Sequence, residues 1–77
     1  MATRKIMLTR DWQQVTDGTQ TVVIQIPDAF QICDSPEKPE EDAPALQFTV
    51  KTLTITPDTV AWVRLRGMND EVMAVIL

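Results

Sequence analysis

The 77-residue chain contains no histidine and no tyrosine, a single cysteine and only two glycines. Without histidine it lacks the usual general base of nucleophilic catalysis and the common zinc ligand sets. The lone Cys33 cannot form an internal disulfide, and we expect it to be a buried, unreactive thiol. Two glycines are too few for a glycine-rich phosphate loop. The chain is therefore predicted not to be an enzyme and to hold no cofactor or metal.

Long apolar runs are also missing. No stretch approaches the roughly 20 apolar residues that a membrane-spanning helix needs. Only three apolar residues, Ile6 to Leu8, follow the first charged residues, which is too few for the core of a signal peptide. We therefore expect a protein that is made in a cytoplasm, is soluble and has no membrane partner.

Positive charge is scarce and scattered. Seven Lys and Arg residues face eleven Asp and Glu residues, giving a net charge of −4. The basic residues do not cluster in the sequence, whereas nucleic-acid binding normally needs a basic face. No nucleic-acid partner is expected.

Acidity is concentrated in one segment, residues 34–44, which we call the acidic loop. It holds five acids, three prolines and one lysine, and it contains no large apolar residue. Such a segment cannot bury surface, so it is predicted to be an exposed, solvated loop. Calcium binding by its carboxylates is the less favoured alternative, because proline-spaced acids lack the glycine-turned ligand loop of known calcium sites.

The residues that are abundant favour strands. There are ten threonines, eight valines and six isoleucines, in segments separated by breakers such as Gly18, Pro27 and Pro57. Short strands between regular turn signals are typical of a sandwich or a barrel. The prediction is one all-β domain over residues 1–77, a small antiparallel β-sandwich or barrel of about six short strands closed by a C-terminal hairpin.

Strand pairing is predicted from neighbours in sequence. A first hairpin would join residues 6–15 to residues 19–26 through a turn with a positive φ at Gly18, setting Trp12 opposite Val22 and Leu8 opposite Ile26. A short strand at residues 30–33 follows the Pro27-Asp28 turn. The apolar residues then change phase, from Leu46, Phe48 and Val50 to Leu53 and Ile55, which predicts a bulge or bend near Lys51-Thr52.

The closing hairpin would pair residues 60–65 with residues 72–77 through a polar turn. Alternation puts Ala61, Val63, Leu65, Val72, Ala74 and Ile76 on one face, which is predicted to be core. A helix over residues 69–77, capped by Asn69, is the less favoured alternative.

Size favours self-association. A chain this short buries only about 60 to 65 percent of its unfolded surface, and neither a disulfide nor a metal compensates. We therefore expect a homo-oligomer whose apolar C-terminal residues are packed. The predicted interface is the outer face of the closing hairpin, formed by Trp62, Arg64, Arg66, Met73, Val75 and Leu77. Arg64 and Arg66 would be either a solvated end of that face or partners for acids of a neighbouring subunit, such as those at residues 37–42.

Residues 56–64, Thr-Pro-Asp-Thr-Val-Ala-Trp-Val-Arg, resemble a pattern of small phage and prophage virion proteins. In those proteins early alternating strands and a Pro-rich middle loop lead into a Pro turn, a Val-x-Trp-x-Arg-like strand, a polar turn and a last apolar strand. The resemblance covers about residues 12–77. It implies a non-enzymatic structural role in a phage head or tail, assembled in the host cytoplasm in many copies and docked on other phage structural proteins.

A function of another class is also compatible with the sequence. An exposed tryptophan in a small β-protein can be a platform for a sugar, so a carbohydrate-binding module that uses Trp12 or Trp62 is the alternative. More often a tryptophan in such a domain belongs to the core or to a subunit interface.

Overall fold

The computed structural model of the chain describes residues 3–49 and 51–77, except for the side chain of Lys51. Over these residues the chain forms eight strands and no helix. The strands are β1 (Arg4–Thr9), β2 (Gln13–Gln14), β3 (Val22–Ile26), β4 (Phe30–Asp34), β5 (Leu46–Phe48), β6 (Lys51–Ile55), β7 (Ala61–Leu65) and β8 (Glu71–Ile76). The predicted all-β class is confirmed, and β8 replaces the helix considered for residues 69–77.

The eight strands form two antiparallel sheets of four. Sheet I has the order β1-β8-β3-β6, and sheet II has the order β2-β7-β4-β5. The sheets enclose one apolar core, so the architecture is a sandwich. The core consists of Leu8, Val15, Val22, Ile24, Ile26, Phe30, Ile55, Ala61, Val63, Leu65, Ala74 and Ile76.

Both predicted hairpins are wrong. β7 lies between β2 and β4 in sheet II, whereas β8 lies between β1 and β3 in sheet I, so the closing hairpin does not exist. Leu8 pairs with Val72 rather than with Ile26, because β1 pairs with β8 instead of β3. Neighbouring strands pair in only about two-thirds of connections. Within the described residues, β4 and β5 are the only consecutive strands that pair with each other.

The assignment of side chains to faces is nevertheless correct. Ala61, Val63 and Leu65 face the core from sheet II, while Ala74 and Ile76 face it from sheet I. These residues meet across the sandwich instead of along a hairpin. Alternation with period two therefore identified the buried faces of β7 and β8 but not their neighbours.

The phase change after β5 marks a passage between sheets. β5 belongs to sheet II and β6 to sheet I, so the chain crosses the sandwich where a bulge or bend was expected. Leu53 and Ile55 face the core from the new sheet. Val50, the last residue of the first phase, lies outside the described residues. A crossing between sheets and a bulge produce the same change of phase in the sequence.

Two loops at one end of the sandwich are tied to each other. Gly18 has the predicted positive φ, at 94°, and its carbonyl accepts a hydrogen bond of 2.7 Å from the Asp58 N–H. The buried hydroxyl of Thr16 donates to the Thr59 carbonyl at 2.7 Å and accepts from the Ala61 N–H at 3.0 Å. These bonds fix the start of β7 against the loop before β3.

The turn before β4 is tied to the turn before β8. The Asp28 carboxylate accepts hydrogen bonds from the Ala29 N–H at 2.8 Å and from the Asn69 side chain at 3.0 Å. The bond from Ala29 is the main reason that the pKa of Asp28 lies below its ordinary value. Gly67 approaches the same carboxylate so closely that an added Cβ would overlap it.

Candidate interaction surfaces

The two outer faces of the sandwich differ in what covers them. The acidic loop connects β4 to β5 and contacts the outer face of sheet II. The outer face of sheet I instead presents apolar side chains that are 42 to 59 percent exposed, among them Met7, Met73 and Leu77. This asymmetry makes the two faces the main candidates for interaction.

Arg64 is the centre of the covered face. Its side chain is only 3 percent exposed, and its guanidinium carbon lies 4.2 Å from the centre of the Trp12 ring. Its Nε donates to Gln31 Oε1 at 2.9 Å, and its Nη2 donates to the Glu41 carbonyl at 2.8 Å. Nη1 lies 3.4 Å from Glu41 Oε2 but makes no hydrogen bond among the described residues. Stacking, hydrogen bonds and an opposite charge together compensate for burying this cation.

Arg66 extends the same cluster toward solvent. Its Nε donates to Gln31 Oε1 at 3.1 Å, and its Nη2 lies 3.4 Å from Glu41 Oε1. Glu41 is 82 percent exposed, so each of its ion pairs contributes little stability by itself. The sequence predicted either a solvated pair of arginines or acids from another subunit. In the structure the acid comes from the acidic loop of the same chain.

The acidic loop is not the solvated excursion that its composition predicted. Both indole N–H groups hold it through backbone carbonyls: Trp12 Nε1 donates to Glu40 at 3.1 Å, and Trp62 Nε1 donates to Ser35 at 2.9 Å. Lys38 adds an ion pair of 2.9 Å with Asp11. That hydrogen-bonded pair is the main cause of the lowered pKa of Asp11. The loop remains polar and largely exposed, but its backbone is fastened to sheet II.

Both tryptophans therefore make contacts within the chain. Trp12 is only 4 percent exposed, with Arg64 over its ring. Trp62 is half-buried beside the start of the acidic loop. Trp12 is thus buried, as expected for a core tryptophan, whereas Trp62 lies against the acidic loop of the same chain.

The six residues of the predicted interface do not share one face. Trp62, Arg64 and Arg66 belong to or directly follow β7 in sheet II, whereas Met73, Val75 and Leu77 belong to or directly follow β8 in sheet I. The error follows from the false hairpin, which placed β7 beside β8. The sheet II group is engaged by the acidic loop, and the sheet I group remains open.

The exposed group extends over three strands of sheet I. Met73 pairs with Met7 of β1. The backbone of Leu77 exchanges two hydrogen bonds with Val23 of β3, of 3.4 and 2.8 Å. Val75 lies between these positions and is half-buried. We call Met7, Val23, Met73, Val75 and Leu77 the sheet I patch; Met7 and Val23 were not singled out from the sequence because their strands had been assigned to another pairing.

A groove runs along the edge of the sandwich that is formed by β5 of sheet II and β6 of sheet I. Two cavities of about 460 and 200 Å³ share Ile32, Leu46 and Thr59 in their walls. Leu46 is 66 percent exposed there. Cys33 lines the larger cavity and is half-buried, so it is less enclosed than predicted. The groove shows that the core is incompletely covered at this edge.

Metal and membrane sites were also sought in the described residues. Across residues 3–49 and 51–77, no three Cys, Asp or Glu side chains are arranged to hold a metal ion. The same residues include no helix with the length and apolar character needed to cross a bilayer.

Comparisons with protein-family models, with curated proteins and with solved structures found no match to this chain. The resemblance of residues 56–64 to phage virion proteins therefore stays a prediction. The geometry of the two outer faces is the structural basis for a functional proposal.

Proposed function

We propose that the chain is a non-enzymatic structural protein that acts as a homo-oligomer in the head or tail of a phage or prophage virion. The observation that carries this proposal is the exposed sheet I patch, opposite a face that the chain covers with its own acidic loop. Contiguous exposed apolar side chains on a small domain are typical of a protein contact. Covering them would add the burial that a 77-residue core lacks.

The virion setting is supported by the resemblance of residues 56–64 to small phage and prophage virion proteins. In this role, copies of the chain assemble in the host cytoplasm and dock on other virion structural proteins. The apolar surface provides assembly contacts, and no step of the proposed role requires a catalytic group or a cofactor.

The carbohydrate-binding alternative has less geometric support. A sugar platform needs an aromatic ring with a free face, but the Trp12 ring is buried and stacked with Arg64. Trp62 is half-buried, and its indole N–H is already bonded to Ser35. A sugar site would therefore depend on the remaining exposed part of one tryptophan.

Native mass spectrometry together with light scattering tests the proposal. We expect masses that are multiples of the 8.7 kDa chain. A strict monomer up to about 100 µM, with tryptophan fluorescence that shifts on addition of a sugar, would support the carbohydrate-binding alternative instead.

A second experiment tests the virion setting. The purified chain is mixed with lysate from a phage-producing host and, as a control, with lysate from the same host without phage. We expect a complex that forms only in the first mixture and that contains a virion structural protein identified from its peptides. The virion role would be rejected if the chain also failed to co-purify with particles isolated from the producing host.

A further inference from the structure

We propose that two copies of the chain pack sheet I against sheet I about a two-fold axis through the Met7–Met73 pair, with Lys5 of each copy facing Glu71 of the other. This inference rests on the proposed homo-oligomer and names its contact. A two-fold contact uses the same patch on both copies, so the patch must be complementary to itself.

The methionine pair at the centre of the proposed contact is suited to it. Met7 and Met73 are direct partners on adjacent strands, and their side chains are 42 and 44 percent exposed. Methionine is apolar and flexible, so two such pairs can interlock without a preformed pocket. Val75 and Leu77 continue the apolar surface along β8.

The charges around this centre are arranged for a second copy. In the β1–β8 register, Lys5 pairs with Val75 on one side of the methionine pair, and Glu71 pairs with Thr9 on the other side. Lys5 and Glu71 therefore lie diagonally across the pair, on different strands and with opposite charge. A two-fold axis in the interface, perpendicular to that diagonal, brings each Lys5 over the Glu71 of the other copy.

Neither charge is engaged within the described part of the chain. The ion pairs found there join Arg10 to Asp70, Lys38 to Asp11, and both Arg64 and Arg66 to Glu41. Lys5 and Glu71 are both exposed. Opposite charges at the margin of an apolar patch favour one relative orientation of the two partners.

The C-terminal part of the free edge of β1 is occupied by a side chain of the same chain. The Gln13 side chain accepts a hydrogen bond from the Thr9 N–H at 2.9 Å and donates one to the Met7 carbonyl at 2.8 Å. An edge whose backbone groups are already bonded is a poor template for an added strand. This part of the β1 edge is therefore a less suitable contact than the face of sheet I.

A matched pair of substitutions tests the position of the contact. Met73→Glu places one carboxylate from each copy in the apolar contact at the axis, where neither is hydrated, and should weaken self-association at least about 100-fold. Met68→Glu adds the same charge in the turn before β8, at a residue that is 96 percent exposed, and should leave association unchanged. Dissociation constants come from sedimentation equilibrium, and circular dichroism verifies that both variants are folded.

A charge exchange tests the two-fold arrangement. Lys5→Glu alone and Glu71→Lys alone should each weaken association about tenfold or more, and the double variant should restore most of the loss. Glu37→Lys, on the acidic loop, is the control for a Glu-to-Lys change away from the patch. If the loss of association free energy in the double variant equalled the sum of the losses in the two single variants, the proposed pairing would be wrong.

The number of subunits in the assembly must also be even, because a two-fold contact joins the copies in pairs. A dimer or a larger even assembly that dissociates on Met73→Glu supports the inference. A trimer, or an oligomer that tolerates Met73→Glu, overturns this contact but leaves the homo-oligomeric function standing. A wild-type monomer overturns both.

Discussion

The Arg64 guanidinium is held between the Trp12 ring, 4.2 Å away, and the acidic loop, whose Glu41 carbonyl accepts from Nη2 at 2.8 Å. One residue thus connects β7, the segment before β2 and the loop between β4 and β5. Because the cation is nearly fully buried, its partners must stay in place to compensate for the loss of hydration. Arg64 therefore couples the acidic loop to the stability of sheet II, together with the indole N–H groups of Trp12 and Trp62.

Replacing Arg64 with lysine should lower the free energy of unfolding by about 2 to 3 kcal/mol, because an ammonium group cannot stack on Trp12 while reaching both Gln31 and the loop. Arg66→Lys is the matched control. Its side chain is 31 percent exposed, so we expect a loss below about 1 kcal/mol. Urea unfolding followed by far-ultraviolet circular dichroism measures both values without relying on tryptophan emission. Equal losses in the two variants would contradict the central position assigned to Arg64.

Replacing residues 37–42 by two glycines should destabilise the protein by about 2 kcal/mol or more, because this removes the carbonyl acceptors of Trp12 and Arg64. Tryptophan emission should move to longer wavelength as Trp12 gains solvent. Glu41→Gln is the control: it keeps the backbone carbonyls and removes only the ion pairs of a carboxylate that is 82 percent exposed, so its cost should stay below about 1 kcal/mol. An unchanged unfolding midpoint after the replacement would show that the acidic loop does not stabilise the fold, as its composition predicts for a solvated loop.

Stability should fall in acid in part through Asp28. Its pKa is lowered in the folded protein, first by the hydrogen bond from the Ala29 N–H and then by Asn69. A lowered folded-state pKa stabilises the fold above the unfolded-state pKa of about 4, and this contribution is lost as pH falls through the folded-state pKa. The urea midpoint should therefore decrease between about pH 5 and pH 2.

The control for this acid dependence is a comparison of two amide substitutions. Asp28→Asn should make the decrease shallower. Asp42→Asn is the reference substitution, because this exposed carboxylate accepts no hydrogen bond among the described residues. If the urea midpoints of Asp28→Asn and of the unmodified protein decreased equally with falling pH, Asp28 would not contribute to the acid dependence.

Gly67→Ala should destabilise the protein by about 1 to 3 kcal/mol, because the new Cβ would overlap the Asp28 carboxylate. In a background that carries Asp28→Ala, most of this cost should disappear, since the obstructing group is absent. Gly18→Ala is the contrast: its cost arises from the positive φ at that position and should be the same in both backgrounds. A cost of Gly67→Ala that did not depend on residue 28 would show that another neighbour opposes the Cβ.

The sequence carried most of the information about strands and faces. Alternation at residues 61–65 and 72–76 was sufficient to identify Val63 and Ala74 as core, because each strand has one buried side regardless of its neighbour. Alternation does not reveal which strands pair with each other. A hairpin and a crossing between sheets place the same residues inside, and the chain takes the crossing at most of its connections.

The covered face of sheet II was missed for a different reason. The acidic loop is held mainly through the backbone carbonyl groups of Ser35, Glu40 and Glu41, which accept hydrogen bonds from sheet II and the segment before it. Every residue type has such a carbonyl, so composition gives no information about these bonds. Trp12 had been placed opposite Val22, far from Arg64 in the predicted pairing. The one available signal was the alternation of Arg64 and Arg66 with apolar residues, which did suggest acidic partners from residues 37–42 but assigned them to another subunit.

Removing Val75, Ile76 and Leu77 should prevent stable folding, although β8 is not part of a hairpin. Ile76 is 2 percent exposed and pairs with both Arg4 and Ile24, so it joins β1 to β3 in the middle of sheet I. Its loss would remove a core side chain and backbone bonds to both neighbours, a cost of several kcal/mol against a total stability of about 5 to 15 kcal/mol. Removing Leu77 alone gives up an exposed side chain and two backbone bonds to Val23, and should lower stability by about 1 to 2 kcal/mol. Thermal unfolding of the two truncated chains measures the difference, and an unchanged melting temperature for the shorter chain would mean that sheet I does not depend on the end of β8.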